Sequence, residues 1–126
     1  MAKAGILIVD DDVSLSRTLS LVLGRKGYVV NTAKDGPEAI ARVEQRPFDM
    51  VFMDIKMPLM NGVETYKRTK KVRPEAVVVM MTAYAVEELV QEALQAGAYG
   101  IIYKPLDMEE ILRLVEEIKE KKQKEG

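Results

Sequence analysis

The sequence predicts an α/β fold in which helices cover both faces of a five-stranded parallel sheet. Short apolar runs alternate along the chain with segments of helical periodicity, and none of these runs alternates apolar with polar residues. Uninterrupted apolar strands are typical of parallel sheets, whose strands are joined by right-handed helical crossovers. The predicted strands cover residues 5–9, 28–32, 50–53, 77–81 and 99–103.

Each helical segment except the third shows one apolar stripe, as expected for helices that pack on a sheet. The third, residues 63–72, is mostly polar and has the weakest pattern. Together with the strands, these segments predict one doubly wound (βα)5 domain over residues 1–126. The stripes consist of Leu15, Leu19 and Val22; Ala39, Ile40 and Val43; Val86, Leu89, Val90, Ala93 and Leu94; and Met108, Ile111, Leu112, Val115 and Ile118.

Turn-forming and capping residues separate these segments. Gly24 and Gly27 are predicted to end the first helix, because glycine disfavours a helix interior. Asp107 followed by Glu110 predicts a capping box at the start of the fifth helix.

Composition excludes several classes of protein. The net charge of -1 leaves no basic surplus for nucleic acid, so we expect no direct binding to it. Without cysteine there is neither a disulfide nor thiolate chemistry, and without histidine there is no Ser-His-Asp catalysis and no phosphohistidine on this chain. No apolar run is long enough for a signal peptide or a membrane span, so a cytoplasmic protein without membrane contact is expected.

Polar residues follow four of the five predicted strands. Ligands of open parallel sheets bind outside the carboxyl ends of the strands, so these side chains are predicted to meet at one edge. Taken singly, each has an ordinary explanation: Asp12 fits the cap of the first helix, Thr82 fits a helix cap, and Lys104 fits a solvated lysine. Their convergence favours a functional site. The residues are Asp10, Asp11 and Asp12 after the first strand, Asp54 after the third, Thr82 after the fourth and Lys104 after the fifth.

This group of residues suits phosphoryl transfer. Clustered carboxylates raise one another's pKa, and a hard dication such as Mg²⁺ relieves that repulsion with oxygen ligands. A carboxylate beside Mg²⁺ and a lysine can attack a phosphoryl group and form an acyl phosphate. Asp54 is the best nucleophile because it stands alone after the central strand, while Lys104 would balance a phosphoryl oxygen and Thr82 would donate a hydrogen bond to another.

The segments "ILIVDDD", "VFMDIKMPLMNG", "MMTAYA" and "GAYGIIYKP" resemble the receiver domain of two-component response regulators. The resemblance runs from Ile6 to about Ile118. It implies a flavodoxin-like fold with sheet order 2-1-3-4-5, acting as a signalling switch and not as an enzyme. It also implies that Asp54 accepts the phosphoryl group from the phosphohistidine of a sensor histidine kinase.

The same resemblance implies the metal ligands and the partners. Asp11, Asp54 and the carbonyl of Lys56 would bind Mg²⁺ directly, and Asp10 would act largely through water. Lys104 would precede a cis proline, Pro105. The signal would pass to a downstream output domain or phosphotransfer protein through the surface of the fourth helix, fifth strand and fifth helix, which is also a possible homodimer surface.

Two positions depart from the usual receiver pattern. Ile101 stands where receivers usually carry Tyr or Phe on the fifth strand. Tyr103 shares its face by strand alternation; of two roles, a substitute for the missing ring and a packing residue, packing is favoured. "MTAY" and "GAY" are similar to receivers attached to AAA+ activators. Lys56 together with "MTAY" is similar to the single-domain regulator of the sporulation phosphorelay, so a phosphorelay intermediate is the alternative function.

The sequence disfavours three other classes of protein. A phosphohydrolase of the haloacid-dehalogenase type needs a second Asp two residues after the nucleophile, where this chain has Lys56. A nucleotide-binding module needs a glycine-rich phosphate loop, and neither common motif is present. A pseudo-receiver used only for docking would have lost Asp54 or Lys104, and both are present.

Overall fold

The computed structural model describes residues 4–83 and 87–125. Five parallel strands form one sheet in the order β2-β1-β3-β4-β5, which confirms the predicted topology. The strands are β1 (Gly5–Val9), β2 (Val29–Ala33), β3 (Met50–Asp54), β4 (Val77–Thr82) and β5 (Gly100–Tyr103). The helices are α1 (Val13–Arg25), α2 (Gly36–Gln45), α3 (Gly62–Val72), α4 (Glu87–Gln95) and α5 (Met108–Glu125).

The sheet separates two hydrophobic layers among the described residues. Alternate side chains of the central strands point to opposite faces, so Leu7 and Val9 join one layer and Ile6 and Ile8 join the other. The first layer contains residues of α2, α3 and α4, and the second contains residues of α1 and α5. This arrangement confirms the doubly wound architecture. Strands β1, β3 and β4 are almost fully buried, as their uninterrupted apolar runs predicted.

The edge strand β2 is less buried than its apolar run suggested, and it begins one residue later than predicted. Val29 is 39% exposed. The backbone N–H of Tyr28 donates to the carbonyl of Leu23, so Tyr28 belongs to the turn that closes α1. Within that turn Gly27 has φ +98°, whereas α1 continues through Gly24 to Arg25. The prediction that Gly24 helps to end the helix is therefore wrong.

Helix α3 looked weak in the sequence because its buried face includes threonines. Thr65 and Thr69 are buried, and their hydroxyls donate to the carbonyls of Asn61 and Tyr66, at 2.9 and 3.0 Å. A hydroxyl that is satisfied by its own helix can be buried without leaving an unpaired donor. Simple hydropathy periodicity counts these positions as polar.

Polar contacts fix the last turns of α5 to the amino-terminal edge of the sheet. The hydroxyl of Tyr28 donates to Glu116, and that of Tyr99 donates to Glu117. Lys122 donates to the carbonyls of Asp49 and Glu75. At the start of the helix Asp107 accepts from the backbone N–H of Glu109, which supports the Asp107 half of the predicted capping box.

The stripe predicted for α4 is confirmed at Val90 and Ala93, which are buried. It is wrong at Leu94, which is 40% exposed, and Val86 lies outside the described residues. Within residues 4–83 and 87–125, no helix is both long enough and apolar enough to cross a membrane.

Candidate functional site

The site lies at the carboxyl edge of the sheet, where β1, β3, β4 and β5 end together. Asp10 is 1% exposed, Asp54 6% and Thr82 0%, so three polar side chains are held at the end of an apolar core. Strand pairing places Asp54 opposite Met81, and the N–H of Ile55 donates to the carbonyl of Met81 at 2.9 Å. The backbone at Asp54 is therefore set by the central strands.

Three carboxylates meet at this edge. One oxygen each from Asp10, Asp11 and Asp54 lies within 4.8 Å of the others, and Asp11 is exposed to solvent while the other two are buried. Oxygen donors that converge from two strand ends suit a hard cation such as Mg²⁺, which also keeps several waters. The residues present fit that ion.

Asp12 has a different role from its two neighbours. Its carboxylate accepts from the backbone N–H of Leu15 at 3.1 Å and caps α1, as predicted. The N–H of Asp12 donates to Asp10 at 2.9 Å, which directs the Asp10 carboxylate inward.

Lys104 provides the positive charge of the site. Its Nζ lies 2.7 Å from Oδ2 of Asp10 and 3.6 Å from Oδ2 of Asp54. Burial lowers the pKa of Lys104, but the hydrogen bond to Asp10 and the charge of Asp54 outweigh burial, so the net pKa is raised. The ammonium group is therefore charged at neutral pH. The peptide bond between Lys104 and Pro105 is cis, as the resemblance implied.

Asp54 ionises less readily than an ordinary aspartate. Burial and the charge of Asp10 raise its pKa to about 6, with Asp11 adding to the rise. Lys104 and a hydrogen bond from the backbone of Lys56 oppose that rise. A further cation at this cluster would favour the ionised, nucleophilic form.

The loop between β3 and α3 is closed on itself. The N–H of Gly62 donates to the carbonyl of Ile55 at 2.7 Å, and the N–H of Met60 donates to the carbonyl of Pro58 at 2.8 Å across Leu59, which has φ 73°. Gly62 ends the segment "VFMDIKMPLMNG", but no role in the site was predicted for it from the sequence. Its close contact with the end of β3 becomes visible only in the structure.

Thr82 and Ile101 connect the site to the first hydrophobic layer. Thr82 is buried at the end of β4, and its carbonyl accepts from the backbone N–H of Lys104 at 2.8 Å. Ile101 packs against the layer that contains α4. Tyr103 is 55% exposed, so it does not have the expected packing role. The side chain is long and the strand is at the sheet edge, which leaves one side of it open to solvent.

Fold and site together define a class of protein: a parallel α/β domain with a carboxylate cluster and one balancing lysine at the carboxyl edge of its sheet. Residues 6–116 match the family described as response regulator receiver domain. This chain therefore belongs to the receiver domain family of response regulators. Receiver domains are signalling switches that act as phosphoacceptors.

Three comparisons illustrate the range of relatives. The transcriptional regulatory protein ZraR of Salmonella typhimurium is 40% identical over 114 residues, which are 90% of this chain and 26% of that protein. The sporulation initiation phosphotransferase F of Bacillus subtilis is 36% identical over 88% of this chain and 90% of its own length. A response regulator receiver domain protein (CheY-like) from Methanospirillum hungatei superposes with a TM-score of 0.96 at 34% identity, over 99% of this chain and 100% of that one.

The chain spans about a quarter of the length of the ZraR relatives that it matches. The relatives include a transcriptional regulatory protein and a sporulation initiation phosphotransferase, in line with the two likenesses noted in the sequence.

Proposed function

We propose that the chain is a Mg²⁺-dependent phosphoacceptor switch in which Asp54 receives a phosphoryl group from the phosphohistidine of a sensor histidine kinase. The observation that carries this proposal is the juxtaposition of three carboxylates within 4.8 Å with the Lys104 ammonium at 2.7 and 3.6 Å. The membership of the chain in the receiver family supports it.

In the proposed reaction an oxygen of the Asp54 carboxylate attacks the phosphorus atom. The P–N bond of the donor breaks, its electron pair stays on the imidazole nitrogen of the kinase, and Asp54 becomes an acyl phosphate. Lys104 balances charge on the phosphoryl oxygens, and the Thr82 hydroxyl donates a hydrogen bond to one of them. The buried setting strengthens both interactions because little water competes for them.

Asp10, Asp11, Asp54 and the carbonyl of Lys56 would hold the Mg²⁺ ion, with Asp10 acting largely through water. The ion would neutralise charge between the two reacting groups. The hydrogen bond between the Lys56 backbone and the Asp54 carboxylate supports this ligand set, since it keeps that backbone beside the cluster.

The first experiment is intact-mass measurement after incubation with acetyl phosphate and Mg²⁺. We expect one added phosphoryl group on the parent and none on Asp54→Asn, because Asp54 is the carboxylate at the end of β3. Asp12→Asn is the matched control, since Asp12 caps α1 and should leave the modification intact. Equal modification of Asp54→Asn and the parent would refute the assignment. Loss of modification in Asp12→Asn would show that the loss of an acidic residue outside the phosphorylation site is enough to prevent the reaction.

For the output, we propose that phosphorylation changes the surface formed by α4, β5 and α5. A downstream output domain, a phosphotransfer protein or a second copy of the chain then binds the changed surface. Exposed apolar side chains on this surface support the proposal: Leu94 is 40% exposed and Tyr103 55%. Light scattering of the chain with and without beryllofluoride and Mg²⁺ tests the homodimer, which is wrong if the mass stays that of a monomer at high concentration.

A phosphorelay intermediate is the second candidate function. The observation that favours it is the likeness to the sporulation phosphotransferase, which extends over nearly the full length of both chains. An intermediate must return its phosphoryl group to a histidine. Transfer from the phosphorylated chain to the purified phosphotransfer protein of the same organism would support this function, and hydrolysis without transfer would favour a terminal switch.

A further inference from the structure

Gly62, the first residue of α3, packs directly against the backbone of the proposed phosphoacceptor. A Cβ atom at this position would lie 2.1 Å from the carbonyl oxygen of Asp54, 2.9 Å from its carbonyl carbon and 2.8 Å from Cα of Ile55. All three neighbours are main-chain atoms of β3 or its immediate extension. No flexible side chain can move aside, so any larger residue must displace backbone.

The position of this backbone is fixed on several sides. The N–H of Ile55 is hydrogen-bonded to β4, and the N–H of Gly62 is hydrogen-bonded to the carbonyl of Ile55 at 2.7 Å. Asn61 caps α3 by accepting from the N–H of Glu64 at 2.9 Å. The start of α3 and the end of β3 therefore form one rigid unit, and the contact at Gly62 sets their separation.

We propose that Gly62 is a positioning residue for phosphoryl transfer. Because it has no side chain, the first turn of α3 can lie against the Asp54 carbonyl. This contact sets the positions of the Asp54 carboxylate and the Lys56 backbone in the site. This inference rests on the proposed function of Asp54. It differs from a general need for glycine in a turn, because the contact is with the reacting residue itself.

The size of the expected effect follows from the contact distance. Cβ atoms essentially never come within 3.0 Å of heavy atoms outside their own and adjacent residues, so an alanine at this position must separate α3 from β3 by roughly 1 Å. A misplacement of that size in a reacting group lowers rates by about a hundredfold, and disturbed ligand support lowers metal affinity by about tenfold or more.

The test compares Gly62→Ala with two matched variants. Gly24→Ala adds the same methyl group in α1, where a Cβ would meet nothing within 4 Å. Asn61→Ala removes the cap of α3 and destabilises the same helix start, but it leaves the glycine contact in place. Phosphorylation by acetyl phosphate is followed by mass, and Mg²⁺ binding by titration of amide NMR signals.

We expect Gly62→Ala to lower the phosphorylation rate about a hundredfold and the Mg²⁺ affinity about tenfold, while Gly24→Ala and Asn61→Ala stay within about threefold of the parent in both. A folded Gly62→Ala with parent-like Mg²⁺ affinity and rate would overturn the inference. An equal loss in Asn61→Ala would also overturn it, since helix destabilisation alone would then account for the effect.

A measurement on the unmodified chain covers the case in which Gly62→Ala does not fold. The amide of Gly62 should exchange with solvent as slowly as the amides of β3, before and after addition of Mg²⁺, because the close contact exists without the ion. Fast exchange at Gly62 would overturn the proposal. The proposed function fails separately, if the parent itself is not modified on Asp54.

Discussion

The ionised carboxylate of Asp54 destabilises the fold on which its proposed role depends. Burial and the charge of Asp10 raise its pKa to about 6 from an ordinary value of 3.8. The stability that protonation of Asp54 adds to the fold is fully present below pH 3.8, where Asp54 is protonated in both the folded and the unfolded chain. It is lost as the pH rises through 6, because the unfolded chain releases that proton more easily. Functional sites often reduce stability in this way.

We therefore expect Asp54→Asn to be more stable than the parent at pH 7, and this advantage to shrink as the pH falls to 4. A pKa unit corresponds to about 1.4 kcal/mol; because water reaches the cluster on the exposed side of Asp11, the expected advantage is about 1–2 kcal/mol. Urea unfolding at both pH values, with EDTA present to remove divalent ions, measures it. Asp12→Asn controls for loss of one acidic charge. An advantage of the same size at pH 4 and pH 7 would contradict the burial argument.

Lys56 is predicted to prolong the phosphorylated state. Its side chain is exposed two residues after Asp54, and it is long enough to lean over a phosphoryl group and obstruct the attacking water. We expect Lys56→Asn to lose phosphate severalfold faster than the parent in a phosphate-release assay, with Lys71→Asn, an exposed lysine of α3, as the control. Tyr84, which lies outside the described residues, is predicted to shield the phosphoryl group in the same way, so Tyr84→Ala should also lose phosphate faster than the parent. Unchanged or slower release in both would refute the shielding argument.

At the level of single residues, the sequence identified the acids of the site and the capping role of Asp12, but it could not assign separate roles to Asp10 and Asp11 from the residues alone. The run of Asp10, Asp11 and Asp12 offers three equal carboxylates. Their separation into an inward partner of Lys104, an exposed member of the cluster and a helix cap depends on how the chain turns after β1. The hydrogen bond from Lys104 to Asp10 joins residues that are 94 positions apart, so no local sequence pattern predicts it.

Among the elements, the segment after β4 and the strand β5 are predicted to carry the signal. A hydrogen bond from Thr82 to the phosphoryl group would draw the end of β4 toward the site, and Ile101 would repack against the layer under α4. With beryllofluoride and Mg²⁺, we expect larger amide NMR shifts at residues 82–90 and 101–104 than at residues 37–44 of α2.

Thr82→Ala tests this route. It should shrink the shifts at residues 101–104 and in α4 while leaving beryllofluoride binding largely intact, because Asp54 and Lys104 remain. Thr69→Ala, which removes a buried hydroxyl of α3 far from the acidic cluster in sequence, is a matched control. Distal shifts of full size in Thr82→Ala would show that the coupling does not run through this hydroxyl.

The elements also show why sequence patterns located strands better than helix faces. Uninterrupted apolar runs marked β1, β3 and β4 because a parallel strand in the middle of a sheet is buried on both sides. The same rule overstated the burial of β2, whose place at the sheet edge is a property of the whole topology. The apolar pattern of helix α3 was weak because two of its buried residues are threonines, whose hydroxyls donate to backbone carbonyls of the same segment.

For the whole molecule, Mg²⁺ is predicted to stabilise the fold. An ion that binds only the native state adds about 1.4 kcal/mol at ten times its dissociation constant, which raises the melting temperature by roughly 3–6 °C. Asp11→Asn should reduce this gain because one ligand loses its charge, and Asp12→Asn should keep it. Thermal unfolding with and without Mg²⁺ measures the gain. A gain of the same size in Asp11→Asn would place the ion elsewhere.

The division of the core into two layers has a consequence for output. Ile101 packs in the layer with α4, and its neighbour Ile102 is buried in the layer with α5. A displacement of β5 perpendicular to the sheet would compress one layer and relax the other. The two surfaces flanking this edge would then respond in opposite directions to one chemical event. A ligand bound at α4 and another at α5 should show affinities that change with opposite sign on phosphorylation, and a common sign would exclude this push–pull arrangement.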